Sequence, residues 1–368
     1  MATSVTSVAI STDWLCQWCG AERLNLTLAR AFPGAPMFTS VYHPQRTYPE
    51  YADIDVRPSR LNSFPPFRRW HRATFPLLAR EFGRMTVDAD VLVASSAGFA
   101  HGIGTTGRKV VYCHTPARWL YQPPERYLGG NLAKRAILGS GRRRLEAWDA
   151  RAAASADRYI VNSSIVATRV LEVYGIEAEV LHPPVTLAVD GPAVRPASAP
   201  DEPGFLLCVG RLIPYKNIPA IVDAFHSLPD LRLVVVGQGN LRRELERSKP
   251  GNVTLIPTVS DVELRWLYRN SSGLVAASFE DFGLTPVEAA HFGKPVAAMR
   301  WGGYVDTVVE GQTGVFFERP EPDHIASAVR ELHRLQWDAG ALERHAAAFG
   351  EEQFITRIQA IVADVASK

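Results

Sequence analysis

The sequence predicts an α/β protein with two domains, each organised around a parallel sheet. Apolar runs of strand length alternate with helical patterns along the chain, as is typical of strand–helix–strand units. The 368 residues are long for one core and sufficient for two. Residues 189–204 are rich in Pro, Ala and Gly and carry no periodic pattern, so we predict an interdomain linker there. The predicted domains are therefore residues 1–188 and 205–349.

Charge is divided unevenly between the two predicted domains. Residues 1–188 contain 22 Lys and Arg against 15 Asp and Glu, and the remainder contains 18 against 23, so the net charges are +7 and −5. A basic first domain favours an anionic partner, such as a membrane surface or a phosphorylated acceptor, over nucleic acid in particular. We expect no signal peptide, no membrane span and no disulfide framework. The expected location is cytoplasmic, with peripheral docking at the inner face of the cell membrane.

The first domain opens with a strand predicted at residues 4–10 and a helix at residues 20–31. The loop between them leads into a helix N-terminus, a place suited to binding anions. Cys16 and Cys19 in this loop have the spacing of a redox pair or of half a zinc site, but the chain has no second Cys pair. Glu22 is either a site residue or simply a carboxylate favoured in the first helical turn.

The next strands are predicted at residues 90–95 and 109–113, and His114 follows the second of them. The carboxyl end of a parallel strand is where an open sheet displays functional groups. A structural histidine is the alternative interpretation. The pair Asp53 and Asp55 has the Asp-x-Asp spacing of metal-dependent transferases, but it alternates with apolar residues as the exposed face of a strand would, so we expect no metal site there.

Residues 63–85 combine Arg68, Arg69 and Arg72 with aromatic residues. Such a basic and aromatic stretch fits a helix on a membrane surface, and it fits equally an amphipathic helix packed on the sheet. A second basic cluster at residues 134–135 and 142–144 leaves the same two interpretations open.

The second domain begins with a strand at residues 205–209, followed by Gly210, Arg211 and Lys216. Two cations beside a turn and a helix start can neutralise a departing diphosphate without a metal ion, although solvation is the ordinary role of such residues. A later strand ends in Gly237-x-Gly239, half of a dinucleotide fingerprint that lacks its third glycine.

The stretch from Ser278 to Glu288 reads as the end of a buried strand, a loop with Glu280, and the start of a helix. We predict that Thr285 is the N-cap and that the helix begins at Pro286. The free backbone N–H groups at this helix start, with the Gly283 backbone beside them, could bind a phosphate. Glu288 either lies beside that phosphate or closes a capping box with Thr285.

Four motifs in this sequence resemble a known family, and one of them is the Gly-Arg-x4-Lys pattern that Gly210, Arg211 and Lys216 match. EDFGLTPVEAAHFGKPVAA is similar to the Glu-x7-Glu motif of retaining glycosyltransferases of family 4 type, which have the GT-B fold. YCHTPARWLYQPPERY is similar to a stretch of mannosyl- and rhamnosyltransferases of bacterial O-antigen and exopolysaccharide assembly. DWLCQWCGAERL resembles the opening of such enzymes, with Cys19 in place of a usual glycine. The resemblance implies two Rossmann-like domains that face each other across a cleft.

The resemblance also implies roles for individual residues. It assigns the donor sugar to Glu280 and His114, and the nucleotide ribose to Glu288. The residues it implies for catalysis are His114, Glu280, Arg211 and Lys216. Those it implies for donor binding are Gly210, Arg211, Lys216, Gly237, Val259, Phe282, Gly283, Leu284, Thr285 and Glu288. Gly20, Ala21 and Glu22 would form an acceptor-side loop, and a C-terminal helix at about residues 350–368 would pack back on the first domain.

The implied reaction is a metal-independent, retaining transfer of a hexose from a nucleotide sugar, with GDP-mannose favoured. The acceptor would be a glycan or a polyprenyl-linked molecule, and no cofactor or metal is expected. Two alternatives stay open: a nucleotide-sugar 2-epimerase on the same fold, and a non-catalytic partner that binds a nucleotide sugar or a membrane. Tyr304 and Asp306 lie in a glycine loop where the family usually has a Pro-Glu pair, so sugar preference is not inferred from that loop.

Overall fold

The computed structural model describes residues 6–122 and 132–368 and divides the chain into two compact units. The first unit comprises Met1–Pro184 and Glu351–Lys368, and the second comprises Val185–Gly350. The structure does not describe the side chains of residues 72–73 and 132–140. The predictions for Arg72, Lys134 and Arg135 therefore fall on residues outside the described side chains. Residues 123–127 of the histidine-containing motif lie outside it too.

Both units contain a sheet whose paired strands are parallel. The described strands of the first unit are β1 Val8–Thr12, β2 Met37–Thr39, β3 Val56–Pro58, β4 Thr86–Val87, β5 Val91–Ser96, β6 Gly104–Thr105, β7 Arg108–Cys113, β8 Arg158–Val161 and β9 Glu179–Val180. Those of the second unit are β10 Phe205–Val209, β11 Leu233–Val236, β12 Val253–Ile256, β13 Ser271–Ala276, β14 Val296–Met299 and β15 Gly314–Phe317.

The strand order reverses once in each main sheet. The first sheet runs β3-β2-β1-β5-β7-β8-β9, while β4 and β6 pair separately, and the second runs β12-β11-β10-β13-β14-β15. Each chain path therefore starts near the middle of its sheet, moves to one edge and then returns to fill the other. Ligands of such sheets bind beyond the carboxyl ends of the strands at the reversal, which here are β1 with β5 and β10 with β13.

Helices alternate with these strands and cover the sheets. The described α-helices are α1 Gly20–Ala31, α2 Pro65–Arg69, α3 Phe75–Phe82, α4 Arg118–Tyr121, α5 Leu132–Ala154, α6 Ser164–Tyr174, α7 Ile218–Ala224, α8 Arg242–Ser248, α9 Asp261–Asn270, α10 Leu284–His291, α11 Tyr304–Thr307, α12 Pro322–Arg334, α13 Ala339–Ala347 and α14 Glu351–Ala366. Within the described ranges, no helix combines the length and the apolar character needed to cross a membrane.

The C-terminal helix α14 is part of the first unit. Its residues Phe354, Ile358 and Ile361 are buried in the same cluster as Ile10 of β1 and Leu28 of α1. Polar contacts reinforce this packing, because Glu351 pairs with Arg30 and the Gln359 amide donates to the Ala31 carbonyl at 2.7 Å. The last segment of the chain thus completes a core that begins with the first strand.

Residues 189–204, which we predicted as a linker, pack instead on the second unit. Ala199 is buried in the core of that unit. The Arg265 guanidinium donates to the carbonyl groups of Ala188 and Pro192, and Arg269 donates to those of Val189 and Gly191. A Pro-rich segment without regular structure can satisfy its carbonyl groups through side chains of a neighbouring helix. Composition alone therefore does not distinguish an irregular segment that packs on a domain from a linker between domains.

Two other segments differ from the prediction. Residues 63–85 form no continuous helix but the short helices α2 and α3 with 3-10 turns around them, because prolines at positions 65, 66 and 76 interrupt the pattern. The Asp53 side of the Asp-x-Asp pair ends a 3-10 helix rather than lying on a strand, and the Asp55 carboxylate pairs with Arg57 at 2.6 Å. Among the described residues, no group of three or more His, Cys, Asp or Glu side chains is arranged to hold a metal ion.

Glu179 of β9 provides the first testable prediction, because its carboxylate pairs with Arg158 and with Arg357 of α14. Burial raises the pKa of Glu179, but the two guanidinium groups outweigh it and hold the pKa below its usual value. A carboxylate with a lowered folded-state pKa contributes stability above its unfolded-state pKa of about 4.3, and that stability is lost as the pH falls through the folded-state value. We expect Glu179→Gln to lower the free energy of unfolding by up to about 1 kcal/mol at pH 7.

Urea unfolding of Glu179→Gln and of the parent protein, measured from pH 7 down to acid, checks this expectation. The difference between the two should shrink as the pH falls below about 4. Glu172→Gln is the matched control, since Glu172 is an exposed carboxylate of α6 in the same unit. A destabilisation that is equal at all pH values would contradict the ion-pair explanation.

Candidate functional site

The reversal between β10 and β13 brings two loops of the second unit together. Gly210 and Arg211 directly follow β10, and Ala277 to Glu280 follow β13. Because the two strands are parallel neighbours, their carboxyl ends meet at one edge of the sheet. Residues 70 positions apart in the sequence are therefore adjacent at this edge.

Lys216 and Glu280 form an ion pair at this edge of the sheet. The Lys216 side chain is 13% exposed and that of Glu280 is 20% exposed, so both charges are largely removed from water. Such a pair persists only where the surrounding structure holds both groups in place, because desolvation offsets much of the attraction. Two of the three residues of this unit that the family resemblance implied for catalysis are thus in direct contact.

Backbone and side-chain hydrogen bonds hold the two loops against each other. The Phe279 N–H donates to the Tyr215 carbonyl at 3.1 Å, and the Asn217 amide donates to the Ala277 carbonyl at 2.7 Å. Asn217 has a φ of 53°, a left-handed conformation that asparagine tolerates better than most residues. These contacts fix the turn that carries Lys216 and start helix α7.

Arg211 supplies a second cation beside the ion pair. Its guanidinium is exposed and donates to the Tyr215 hydroxyl at 2.8 Å. Within the described residues, Arg211 forms no ion pair with a carboxylate, so its charge is available to an anionic ligand.

Gly237 and Gly239 allow two loops to approach closely. A Cβ atom on Gly237 would lie 1.9 Å from the Gly210 carbonyl oxygen, and one on Gly239 would lie 2.1 Å from that of Leu212. The Gly210 N–H also donates to the Val236 carbonyl at 3.0 Å. The sequence suggested that this glycine pair was half of a dinucleotide fingerprint. In the structure, close backbone packing is sufficient to explain why both positions are glycine.

Helix α10 begins at Leu284 with Gly283 as its N-cap, so the predicted N-cap at Thr285 and start at Pro286 are wrong. Gly283 has a φ of 84°, and a Cβ atom there would lie 2.4 Å from the Tyr304 ring. A residue other than glycine would therefore be strained in its backbone and would collide with the ring. Thr285 lies inside the first helical turn, among the N–H groups that a short helix offers to an anion.

Glu288 has a hydrogen-bond partner other than the predicted capping box. The hydroxyl of the buried Tyr268 donates to the Glu288 carboxylate at 2.7 Å, and the Tyr268 ring stacks on Phe292. No N-cap side chain bonds to this helix. The capping-box alternative for Glu288 is therefore wrong, and Tyr268 instead orients its carboxylate.

The glycine loop that follows β14 supports the Glu280 loop from behind. The Gly303 N–H donates to the Glu280 carbonyl at 3.1 Å. Gly302 has a φ of 61°, and a Cβ atom on it would lie 2.1 Å from the same carbonyl oxygen. Phe279 and Trp301 pack edge to face with ring centroids 5.1 Å apart. This loop fixes the backbone from which the Glu280 side chain extends.

The remaining predicted donor-binding residues have apolar side chains. Phe282 is buried against Phe349, and Leu284 packs with the same cluster. Val259 is half-buried against the core, in a loop that ends at Ser260. Ser260 and Glu263 form a capping box on α9. The Phe282 side chain is therefore part of a buried apolar cluster.

His114 lies in the first unit, directly after β7. Its Nε2 atom is 2.9 Å from the Ser95 hydroxyl, and its ring packs edge to face on Tyr112. The Asn162 amide donates to the His114 carbonyl at 3.1 Å. The half-buried ring is thus held at the carboxyl edge of the sheet by residues of three neighbouring strand ends.

Gly20, Ala21 and Glu22 form the first turn of α1, with Cys19 as the N-cap. Gly20 is exposed, but Glu22 is buried and accepts a hydrogen bond from the Cys19 thiol. Glu22 is thus a buried partner of Cys19 rather than a solvent-facing carboxylate of the first turn. Cys16 and Cys19 are not joined by a disulfide, and burial raises the pKa of Cys16 to about 12, so that thiol stays protonated at neutral pH.

Asp13 fills the corresponding reversal in the first unit. Its buried carboxylate accepts hydrogen bonds from the N–H groups of Ala97, Phe99 and Ala100 at 2.6 to 3.0 Å. Sequence analysis missed Asp13, Tyr268 and Asn217. An Asp directly after a strand is the one local signal among them, whereas the other two are recognised only through their distant partners.

Two family models match the chain, one for each unit. The model described as Glycosyltransferase Family 4 matches residues 18–189, and the model described as Glycosyl transferases group 1 matches residues 193–351. D-inositol 3-phosphate glycosyltransferase of Mycobacterium tuberculosis strain H37Rv is 32% identical over 222 residues, which cover 54% of this chain and 46% of that protein. The chain thus spans about half the length of the curated relatives it matches.

Solved structures share the fold at low sequence identity. Anabaena HepE in complex with UDP-glucose is 18% identical with a TM-score of 0.69 and covers 97% of this chain and 99% of its own. Sucrose-phosphate synthase from Thermosynechococcus elongatus is 16% identical with a TM-score of 0.70, at 98% and 99% coverage. The galactosyltransferase WaaB is 15% identical with a TM-score of 0.61, at 97% and 99% coverage. With a family model matched to each unit and a fold shared with these enzymes, the chain belongs to the GT-B glycosyltransferases of family 4 type.

Proposed function

We propose that this protein is a retaining hexosyltransferase that uses a nucleotide sugar as donor and needs no metal ion. The observation that carries the proposal is the Lys216–Glu280 ion pair at the reversal of the second sheet. Charged groups removed from water are costly and concentrate at functional sites. Membership of the glycosyltransferase family supports the same conclusion.

The donor diphosphate binds to the cations and the helix start of this edge. As the bond between the sugar carbon C1 and the phosphate oxygen breaks, negative charge develops on the phosphate. Arg211, Lys216 and the first N–H groups of α10 stabilise that charge, because fixed cations and dipoles need no reorganisation during the reaction. These groups supply the charge that a divalent cation supplies in metal-dependent transferases.

The sugar is oriented while its bond to the diphosphate loosens. Glu280 accepts hydrogen bonds from sugar hydroxyl groups, and His114 is proposed as a further group that binds the sugar. The acceptor hydroxyl forms its bond to C1 on the face that the phosphate leaves, and its proton passes to the departing phosphate oxygen. The configuration at C1 is therefore retained. Glu288, oriented by Tyr268, binds the ribose.

Glu280→Gln and Lys216→Ala test the catalytic proposal. Each variant should lower kcat for hexose transfer by about 100-fold or more, because a preorganised electrostatic contact of this kind contributes roughly that factor. Radiolabelled or coupled transfer assays measure kcat, and thermal melting verifies that each variant is folded. Near-normal turnover in either variant would refute the role of that residue.

Two further variants sharpen this experiment. Glu318→Gln removes an exposed carboxylate that pairs with Arg300 in the same unit and should leave transfer unchanged. Tyr268→Phe should raise the KM for the donor more than it lowers kcat, because it disturbs only the orientation of Glu288.

Turnover of the nucleotide sugar without any acceptor, accompanied by inversion at C2, would establish the epimerase alternative instead. Absence of both transfer and donor hydrolysis would leave the non-catalytic partner.

We propose GDP-mannose as the donor, on the likeness of the stretch around His114 to mannosyltransferases. The HepE complex with UDP-glucose supports a UDP-hexose as the second candidate. Thermal shifts with GDP-mannose, UDP-glucose, ADP-glucose and dTDP-rhamnose should show the largest rise in Tm with GDP-mannose. A larger rise with UDP-glucose would replace mannose in the proposal. The acceptor is proposed to be a glycan or a polyprenyl-linked molecule of surface polysaccharide or glycolipid synthesis.

Peripheral membrane contact through the first unit is proposed from an exposed aromatic and basic surface. Trp70 is 62% exposed and Phe64 is 54% exposed, beside Arg68 and Arg69. Such groups bind the interface of an anionic bilayer. The protein should sediment with vesicles containing anionic lipid, and Trp70→Ser should weaken this several-fold, whereas Leu171→Ser on the exposed side of α6 should not. Failure of the parent protein to bind anionic vesicles would contradict the proposal.

A further inference from the structure

A pocket of about 380 Å3 opens in the first unit. Its lining includes Gly102, Thr105, Lys109, Trp148, Arg151 and Ser155. Lys109 is the second residue of β7, whereas His114 follows the last residue of the same strand. The pocket therefore lies at the amino edge of the sheet, opposite the edge that carries His114. Its volume is at the small end of the range for small-molecule sites.

Lys109 places a buried cation at this pocket. The residue is 4% exposed, and its ammonium donates to the His101 carbonyl at 3.1 Å and to the Ser155 hydroxyl at 2.8 Å. Both acceptors are neutral, and within the described residues no carboxylate forms an ion pair with Lys109. An ammonium has three donors, so these two contacts leave one for another acceptor.

Asp157 does not form an ion pair with the Lys109 ammonium. Asp157 uses one carboxylate oxygen to pair with Arg108 at 2.8 Å and the other to accept the Lys109 backbone N–H at 2.8 Å. Burying a charge without an opposite charge in contact costs free energy. An anion bound in the pocket would remove that cost.

Arg151 of α5 adds a second cation on the exposed side of the pocket. Among the described residues it has neither an ion pair nor a hydrogen bond through its guanidinium. One buried ammonium and one exposed guanidinium on the same pocket form an arrangement suited to a single anionic group, since a guanidinium binds phosphate and carboxylate oxygens with two parallel N–H bonds.

Trp148 forms an apolar wall beside the two cations. A Cβ atom on Gly102 would lie 2.3 Å from the Trp148 ring, so glycine is needed for the backbone to lie against the indole. The ring also packs near Phe99, with centroids 6.1 Å apart, which holds it in place. A rigid aromatic surface beside two cations favours a ligand that has a flat apolar part as well as an anionic group.

We propose that this pocket binds a small phosphate monoester, with its phosphate between Lys109 and Arg151 and its organic part on the Trp148 ring. The site is separate from the proposed nucleotide-sugar site of the second unit and does not depend on the transferase reaction. The phosphate accepts the third N–H of Lys109 and the N–H groups of Arg151. The Ser155 hydroxyl remains with Lys109 and the Ala152 carbonyl, to which it donates at 2.7 Å.

Calorimetric titration of the full chain with phenyl phosphate tests the proposal, with inorganic phosphate and phenol as partial probes. Phenyl phosphate should bind saturably and more tightly than inorganic phosphate, and phenol should not bind measurably. Arg151→Ala and Lys109→Met should each weaken binding at least ten-fold, and thermal melting verifies that Lys109→Met is folded. Equal binding of phenol and phenyl phosphate would overturn the role of the cations.

Two control variants locate the site. Arg143→Ala removes an exposed guanidinium from the same helix, away from the pocket lining, and should leave binding unchanged. Lys216→Ala disables the proposed donor site and should also leave this binding unchanged. Loss of binding in Lys216→Ala with retention in Arg151→Ala would assign the phosphate to the donor site and overturn the pocket. Absence of saturable binding by the parent protein would overturn it as well.

Discussion

The contact between Lys216 and Glu280 is the interaction on which the second unit's site depends. Neither residue would be near the other without the reversal of strand order, and neither charge would stay largely buried without its partner. The hydrogen bond from Phe279 to Tyr215 and the support of the Gly303 N–H under Glu280 keep the pair in place. Backbone hydrogen bonds therefore fix the positions of the two loops, and the ion pair forms between the side chains that these loops carry.

The two units have the same kind of sheet, but the side chains at the strand reversal carry opposite charges in the two. In the first unit, the reversal beside β1 and β5 is filled by the protein's own carboxylate, because Asp13 accepts three N–H groups of the following loop. In the second unit, the equivalent place carries Arg211 and Lys216. In the first unit, the protein's own carboxylate thus occupies the loop N–H groups, whereas in the second unit the exposed Arg211 has no carboxylate partner among the described residues. The likeness of fold therefore does not make the two edges interchangeable.

Much of the fold follows from local patterns in the sequence. The helix Gly20–Ala31 and the strand Phe205–Val209 have the bounds predicted from the sequence, and the helix Glu351–Ala366 lies within the range of about 350–368 that the family resemblance implied. The start of α10 at Leu284 does not, because its N-cap Gly283 has a left-handed backbone and lies against the Tyr304 ring, which comes from another part of the chain. Position in a motif predicted Glu280 and Lys216 as site residues, whereas their direct pairing follows from the topology and is not visible in the sequence. The bond from Tyr268 to Glu288 has no local signal, since any buried tyrosine would look the same.

The membership of α14 in the first unit has a consequence for how the protein is made. A ribosome releases the sheet of the first unit early, yet Phe354 and Ile358, which cover one face of that sheet, are synthesised only after the whole second unit. The apolar surface around Ile10 and Leu28 therefore stays without its α14 cover while the 166 residues of the second unit are synthesised. Nascent chains of this protein therefore pass through a stage in which the second unit is complete while the first still lacks α14, and apolar surface exposed at that stage favours aggregation and chaperone binding.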